Sequence, residues 1–250
     1  MEQIMEVQGL TKNFGGLSAL RNVSFTLEKG ETLGIIGPNG AGKTTLFNLL
    51  TGFLKPTQGT INFRGENIAG WKPYAIVNKG IARTFQIVRP FLQLTAQENV
   101  IISCLCARAM EKRRGADRPE AKARKLLKNV GLSGKEFILA KDLPHGDTKR
   151  LEMARALAAE PELLLLDEPF AGLGHHETSA LFPLIEQLSR EGHSIIIIEH
   201  KLRELMKLVG RVITLHFGEK IADGTPDELS RNQKVIEAYL GKGGRTFATV

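Results

Sequence analysis

Apolar side chains in this chain fall into short blocks set off by glycines and charges. Residues 163–166 (LLLL) and 195–198 (IIII) are unbroken apolar runs of four. Such runs predict strands buried on both faces, as in a parallel sheet. None approaches the ~20 apolar residues needed to cross a membrane. "ETLGIIG" (31–37) predicts a further buried strand, and "GKTTLFNLLTG" (42–52) a helix behind it that closes at Gly52. Residues 4–31 read as β-type segments divided by glycines. "KPTQGTINFRGENI" (55–68) and "RVITLHFGEKIADG" (211–224) read as hairpins. Residues 95–160 are helical in pattern. Leu181, Leu184, Ile185 and Leu188 repeat as one buried helix face, with Pro183 predicting a kink or a late start. "TPDEL" opens a C-terminal helix, with Thr225 as N-cap, Pro226 in the first helical position and Glu228 closing a capping box. The tail 241–250 is expected to be loose.

Strands alternating with helices imply an α/β fold around a parallel sheet. The expected layout is one domain over residues 1–250. Residues 1–90 and 161–224 form its core with an antiparallel β part, about 91–160 a protruding helical part, and 225–250 a C-terminal helix and tail. The net charge of +7 is mostly local. Residues 108–128 hold nine Lys or Arg against three acids. A solvated helical face is the plain account, and contact with anionic lipid the sharper one. The stretch has no aromatic residue to stack bases, so no nucleic-acid partner is expected. "MEQIMEVQGL" lacks the basic-then-apolar pattern of a signal peptide. Cys104 and Cys106 would face different sides of a helix, which argues against a metal or redox pair and for a reducing cytoplasm.

The chemistry concentrates at residues 34–45, "GIIGPNGAGKTT". Gly37, Gly42, Lys43 and Thr44 satisfy the G-x-x-x-x-G-K-[ST] spacing. Glycines let backbone N–H groups converge on phosphate oxygens, and the helix beginning at Gly42 adds its positive end. Lys43 would neutralise β- and γ-phosphates, Thr44 would ligate Mg²⁺, and Thr45 offers a second hydroxyl. A cradle alone fits kinases, switches and motors. Asp167, ending "LLLLD", would hold the Mg²⁺ shell, and Glu168 could polarise a water at the γ-phosphate. The two acids together point to hydrolysis by water.

Four further pieces fall in order around these two. "RTFQ" carries Gln86; "LPHGD" (143–147) precedes a helix; 171–174 follows the acids; and "IIIIEH" ends in His200. This order closely resembles the ATP-binding-cassette (ABC) family over roughly residues 4–241: phosphate loop, glutamine loop, signature, acidic strand, D-loop and switch histidine. The resemblance implies the family's P-loop NTPase fold, with a RecA-like mixed sheet, an antiparallel β part and a helical part. It implies ATP and Mg²⁺ as cofactors, with Gly37, Pro38, Asn39, Gly40, Ala41, Gly42, Lys43, Thr44 and Thr45 around the phosphates. It also implies Phe14 against the adenine, Gly146 facing a partner chain's nucleotide, Thr44, Gln86 and Asp167 at the metal, and Glu168, Gln86 and His200 in catalysis.

"FGGLSAL", "RTFQIVRPFLQLTAQENV", "DEPFAGL", "IEHKL" and "VIEAYLG" look like the LivG-type ATPases of branched-chain amino acid importers. That implies a peripheral subunit on the cytoplasmic face of the membrane, bound to permease subunits and paired with a second ATPase. An external substrate-binding protein would act indirectly. "DEPFAG" and "YLG" are shared with lipopolysaccharide-export ATPases, the first rival; a soluble cassette protein is the second. Two motifs depart from the family pattern. The signature reads Leu143, Pro144, His145, Gly146 and Asp147, and Gly174 replaces the D-loop aspartate. Pro144 brings neither hydroxyl nor N–H, and Asp147 would repel phosphate unless Lys149 and Arg150 offset it. Weakened contacts across a dimer of identical chains are therefore expected.

Overall fold

The structure, a computed structural model, describes residues 2–87, 89–112 and 118–240. The tail 241–250, the last glycine of "YLG", Val88 within "IVRPFLQL" and the middle of the basic stretch lie outside these. In chain order the elements are β1 (Gln3–Phe14), β2 (Leu17–Glu28), β3 (Thr32–Ile36), α1 (Lys43–Leu50), β4 (Gln58–Phe63), β5 (Glu66–Asn67), α2 (Pro73–Lys79), β6 (Ile81–Arg83), α3 (Ala96–Cys104), α4 (Ala107–Lys112), α5 (Pro119–Asn129), a 3-10 turn (Ala140–Asp142), α6 (His145–Ala158), β7 (Leu163–Asp167), α7 (His175–Arg190), β8 (Ser194–Ile198), α8 (Leu202–Leu208), β9 (Arg211–His216), β10 (Glu219–Gly224), α9 (Pro226–Ser230) and α10 (Gln233–Leu240). The chain divides into two compact units, residues 1–73 with 194–250 and residues 74–193.

The first unit holds an antiparallel sheet in the order β2-β1-β4-β5. Its buried side chains include Val7 and Leu10 of β1, Val23 and Phe25 of β2, and Ile61 and Phe63 of β4. Register shifts in the β1–β2 and β1–β4 ladders carry the alternation past Gly9, where simple period-2 counting would fail. The same unit holds β3, buried at all five positions, between two parallel neighbours: Leu33 stands opposite Ile196 of β8 and Arg211 of β9. The hairpin β9–β10 closes this group. Thr225 caps α9 through the reciprocal box with Glu228, but α9 is only five residues long and α10 follows separately, so the single C-terminal helix expected is two.

In the second unit β6 and β7 pair in parallel, with Ile81 opposite Leu163 and Arg83 opposite Leu165. Helices α3, α5 and α6 pack on one another, burying Val100, Ala123, Leu127, Leu151 and Ala154. Thr95 caps α3 with a full Thr95–Glu98 box. Helix α7 starts eight residues before Pro183 and runs through it. The proline does not delay the start; it removes one backbone donor inside the helix. The four apolar positions of its face are buried. In the basic stretch, Lys112, Arg118, Arg124, Lys125 and Lys128 are exposed. Arg108 is not part of that face. It is buried and donates to the Glu160 and Lys79 carbonyls, and it pairs with Glu162 at 2.6 Å. Cys104 is buried, Cys106 half-buried, and both are free. Among the described residues no helix is long and apolar enough to cross a membrane.

Candidate functional site

In the first unit the chain leaves the carboxyl end of β3 into a loop built on glycine conformations. Gly37 (φ 151°), Gly40 (φ 79°) and Gly42 (φ 102°) all have positive φ. Two of these positions also lack room for a side chain. A Cβ on Gly37 would lie 2.2 Å from the Leu215 carbonyl oxygen, and one on Gly42 would lie 2.7 Å from that of Ala19. Lys43 opens α1 and is buried. Its ammonium donates to the Gly37 and Pro38 carbonyls at 2.6 and 3.0 Å, inside the loop it follows. No acidic side chain sits in the first turn of α1, so the positive end of the helix keeps its potential. Asn39, Gly40 and Thr44 are exposed, Pro38 and Thr45 half-buried, and Ala41 buried. The Ala41 carbonyl accepts Gly218 N–H, which anchors the loop to the β9–β10 turn.

One anchor comes from far along the chain. The Gly37 N–H donates to the Tyr239 hydroxyl of α10 at 2.6 Å. Burial pushes that phenol up to about 12, so it stays neutral. Phe14, at the end of β1, is 46% exposed with the Lys12 ammonium 5.0 Å from its ring centre. It is therefore not a core phenylalanine. His200 is exposed just past β8. The Glu199 carboxylate, buried, accepts the N–H groups of His200 and Lys201 at 2.7 and 3.0 Å and fixes the turn that presents the histidine.

The second unit carries the acids. Asp167 ends β7, buried, with Arg83 of β6 at 2.6 Å; its N–H donates to Thr84 Oγ1. Glu168 follows with φ 48°, a left-handed backbone outside glycine. Gln86 Nε2 donates to Glu168 Oε2 at 2.8 Å. The pairing of β6 with β7 brings the segments after both strands to one end, and so brings Gln86 to Glu168. Among the described residues no group of three or more His, Cys, Asp or Glu could hold a metal by itself. The donors of this unit are a carboxylate and an amide oxygen. That set fits Mg²⁺, a hard cation that keeps waters and leans on substrate phosphates. An incoming cation would share Asp167 with Arg83.

The signature differs from expectation. Asp147 is buried on α6 and pairs with Lys135. Lys149 reaches instead to the Gln86 carbonyl at 3.0 Å, and Arg150 to that of Gly131. A lysine twelve residues upstream, on no shared element, could not be picked out from spacing. Gly146 is buried, and a Cβ there would meet Glu177 Oε1 at 2.3 Å. That carboxylate also accepts Gly174 N–H at 3.0 Å, giving the start of α7 a partner where glycine has no side chain. Gly146→Ala is expected to expel it, losing a cap contact of about 0.5–2 kcal/mol. Alanine inside α6 is favoured over glycine by about 0.5–1 kcal/mol, so the net cost should be about 1 kcal/mol or less. In a Glu177→Ala background the same change should stabilise the fold by about 0.5–1 kcal/mol, as paired urea titrations would show; equal effects in both would exclude the clash.

Nothing local in the sequence marks Arg83, Lys135, Glu199 or Tyr239 as part of a site. Each acts through a fold contact, and only Arg83, at the end of a short strand, sits where a partner for an acid could be sought.

Glu152 of α6 is buried, accepts Phe85 N–H at 2.8 Å, and is pushed up to about 7 by burial, against the pull of that bond and of Lys149 and Arg155, with Asp167 adding to the rise. An unfolded glutamate ionises near 4.5. Between these values the folded chain holds a proton the unfolded chain has lost, so stability falls as pH rises. Above 7 both are ionised and the full penalty, about 3 kcal/mol, is present. Glu152→Gln should therefore stabilise the protein markedly at pH 8 and little at pH 4.5. A pH-independent difference in unfolding midpoint would rule this titration out.

A family model described as "ABC transporter" matches residues 20–171, and one described as "Branched-chain amino acid ATP-binding cassette transporter" matches residues 219–245. The chain is 39% identical over 252 aligned positions to the high-affinity branched-chain amino acid transport ATP-binding protein LivG of Salmonella typhimurium, covering 96% of this chain and 99% of that protein. Among solved structures it resembles an ATP-binding cassette of an ABC transporter in its ADP conformation (TM-score 0.86, 31% identity, 97% of this chain and 100% of the other). It also resembles a dimeric cassette in a post-hydrolysis state bound to ADP and Pi (TM-score 0.78, 26% identity, 89% and 99%). Near-complete coverage at this identity, together with a glycine-built phosphate loop and a strand-end acid pair, leaves one conclusion: the chain belongs to the ABC transporter family, as one of its ATP-hydrolysing cassettes.

Proposed function

We propose that this cassette powers a membrane importer for branched-chain amino acids or a related small polar substrate. The observation that carries the reading is near full-length likeness to a branched-chain amino acid transport ATPase, joined by the separate match of residues 219–245. Lys43 and the loop 37–42 would hold the phosphates, with Phe14 against the adenine. Thr44, Asp167 and Gln86 would hold Mg²⁺, which when bound neutralises developing phosphate charge. Glu168 would take the proton from the attacking water, with Gln86 and His200 completing the arrangement. In this reading 1–90 and 161–224 supply the nucleotide core of a single domain, about 91–160 its helical part and 225–250 its C-terminal segment.

A second ATPase chain would present its signature to this chain's nucleotide, and this chain's Gly146 would face the partner's. Exposed Ile87, Phe91 and Leu92 on the segment after Gln86 offer an apolar surface for permease subunits at the cytoplasmic membrane face. An external binding protein would deliver substrate to the permease. The test is reconstitution with the permeases, second ATPase and binding protein from neighbouring genes. ATP-driven uptake of radiolabelled leucine is expected, and its loss with Glu168→Gln. ATP-driven uptake of a different solute with no leucine uptake would replace the substrate assignment.

A further inference from the structure

One turn of α6 holds both members of the Gln86–Glu168 pair by their main chains. Lys149 and Glu152 are three residues apart, hence on one helix face, and both are buried. The Lys149 ammonium donates to the Gln86 carbonyl at 3.0 Å and lies 3.5 Å from the Glu168 carbonyl. Glu152 Oε1 accepts Phe85 N–H at 2.8 Å, while its Oε2 finds no donor among the described residues. Residues 85 and 86 are thus bound to α6 at two successive positions, and the Glu168 carbonyl lies at the outer edge of hydrogen-bond reach of the same ammonium. The cavity that Lys149, Glu152, Thr84, Phe85 and Asp167 help to line is only about 10 Å³, at the lower limit for one water.

Two features of this arrangement are costly without a function. Glu168 holds a left-handed backbone, a conformation that persists only where its surroundings over-determine it. A buried ammonium must also recover its lost hydration through strong bonds. Both are explained if Lys149 fixes the Glu168 carbonyl and the Gln86 carbonyl together, so that the two side chains meet at 2.8 Å.

We propose that Lys149 and Glu152 are positioning residues for ATP hydrolysis: they lock the Gln86 loop and the Glu168 main chain to the signature helix. Because α6 begins beside Gly146, the geometry of the hydrolytic pair follows the position of the signature within the same unit. The inference rests on the reading of Glu168 as the base.

The test measures single-turnover hydrolysis of radiolabelled ATP and affinity for a fluorescent ATP analogue in the full-length chain assembled with its second ATPase, whose own catalytic glutamate is changed to glutamine. Lys149→Met is expected to slow hydrolysis about 10–100-fold, the scale on which misplacing a catalytic group acts, with affinity within about threefold. Lys149→Gln, a neutral donor, should fall between Met and wild type and carries the test if the Met variant does not fold. In a Glu168→Gln background neither change should slow the residual rate further, because the group they position is gone. Rates within twofold of wild type for the variants, or the same fold loss in both backgrounds, would overturn the proposal. If Glu168→Gln alone left turnover intact, the base assignment would fall first and visibly so.

Discussion

Glu168→Gln is expected to lower ATP turnover by about 10²–10⁴-fold, the range of a positioned general base, while leaving ATP binding in place. The change is isosteric, and the new amide oxygen can still accept from Gln86 Nε2, which donates to Glu168 Oε2 at 2.8 Å. Residue 168 keeps a left-handed backbone, which glutamine adopts no less readily than glutamate. Geometry is therefore kept and basicity removed, so a fall in rate reads on proton acceptance alone. With hydrolysis blocked, ATP should accumulate a closed dimer with a suitable partner, which sizing chromatography would resolve. Phosphate release measured against fluorescent-analogue affinity decides the matter: a loss of twofold or less removes Glu168 from that role.

Lys43→Ala should act on binding instead. The ammonium is buried within the loop, donating to two carbonyls, so its stem is already ordered before any phosphate arrives. A charge-assisted bond contributes about 1.5–3 kcal/mol, and Lys43 is the one cation of the loop 37–45. ATP affinity is expected to drop at least ~10–100-fold by that measure. The same deletion frees the Gly37 and Pro38 carbonyls, so a lower unfolding temperature should accompany it. Titration of a fluorescent ATP analogue below that temperature separates the two effects, and unchanged affinity would take Lys43 out of the site.

Much of this site was legible because its signals are local. The run 34–45 contains its own strand end, glycines and helix start, and "LLLLDE" places two acids at a strand end without reference to anything distant. The β9–β10 hairpin and the Thr225 cap were legible for the same reason. What escaped depended on partners far apart in sequence. Arg83 meets Asp167 only because β6 pairs with β7, and Lys135 takes Asp147 only through the packing of loop and helix. Helix α2 was missed because "PYAIVNK" is short and buries one residue, Ile76, leaving no periodic stripe. The split between α9 and α10 was missed because the Thr225 box marks where a helix starts and says nothing about where it stops.

The hydrogen bond from Gly37 to Tyr239 joins positions 202 residues apart, and this sets an order of events during synthesis. The phosphate motif leaves the ribosome early, yet both parallel neighbours of β3 arrive only with residues 195–198 and 211–214, and the tyrosine later still. At about 5–20 residues per second the wait for Tyr239 is roughly 10–40 s. For most of that time the nascent loop carries its glycines and lysine without the strands that shape it, so the loop is among the last parts of this unit to be completed. Nascent chains stalled before residue 194 should hold the whole motif and retain no ATP, and gain that ability only once α10 has emerged.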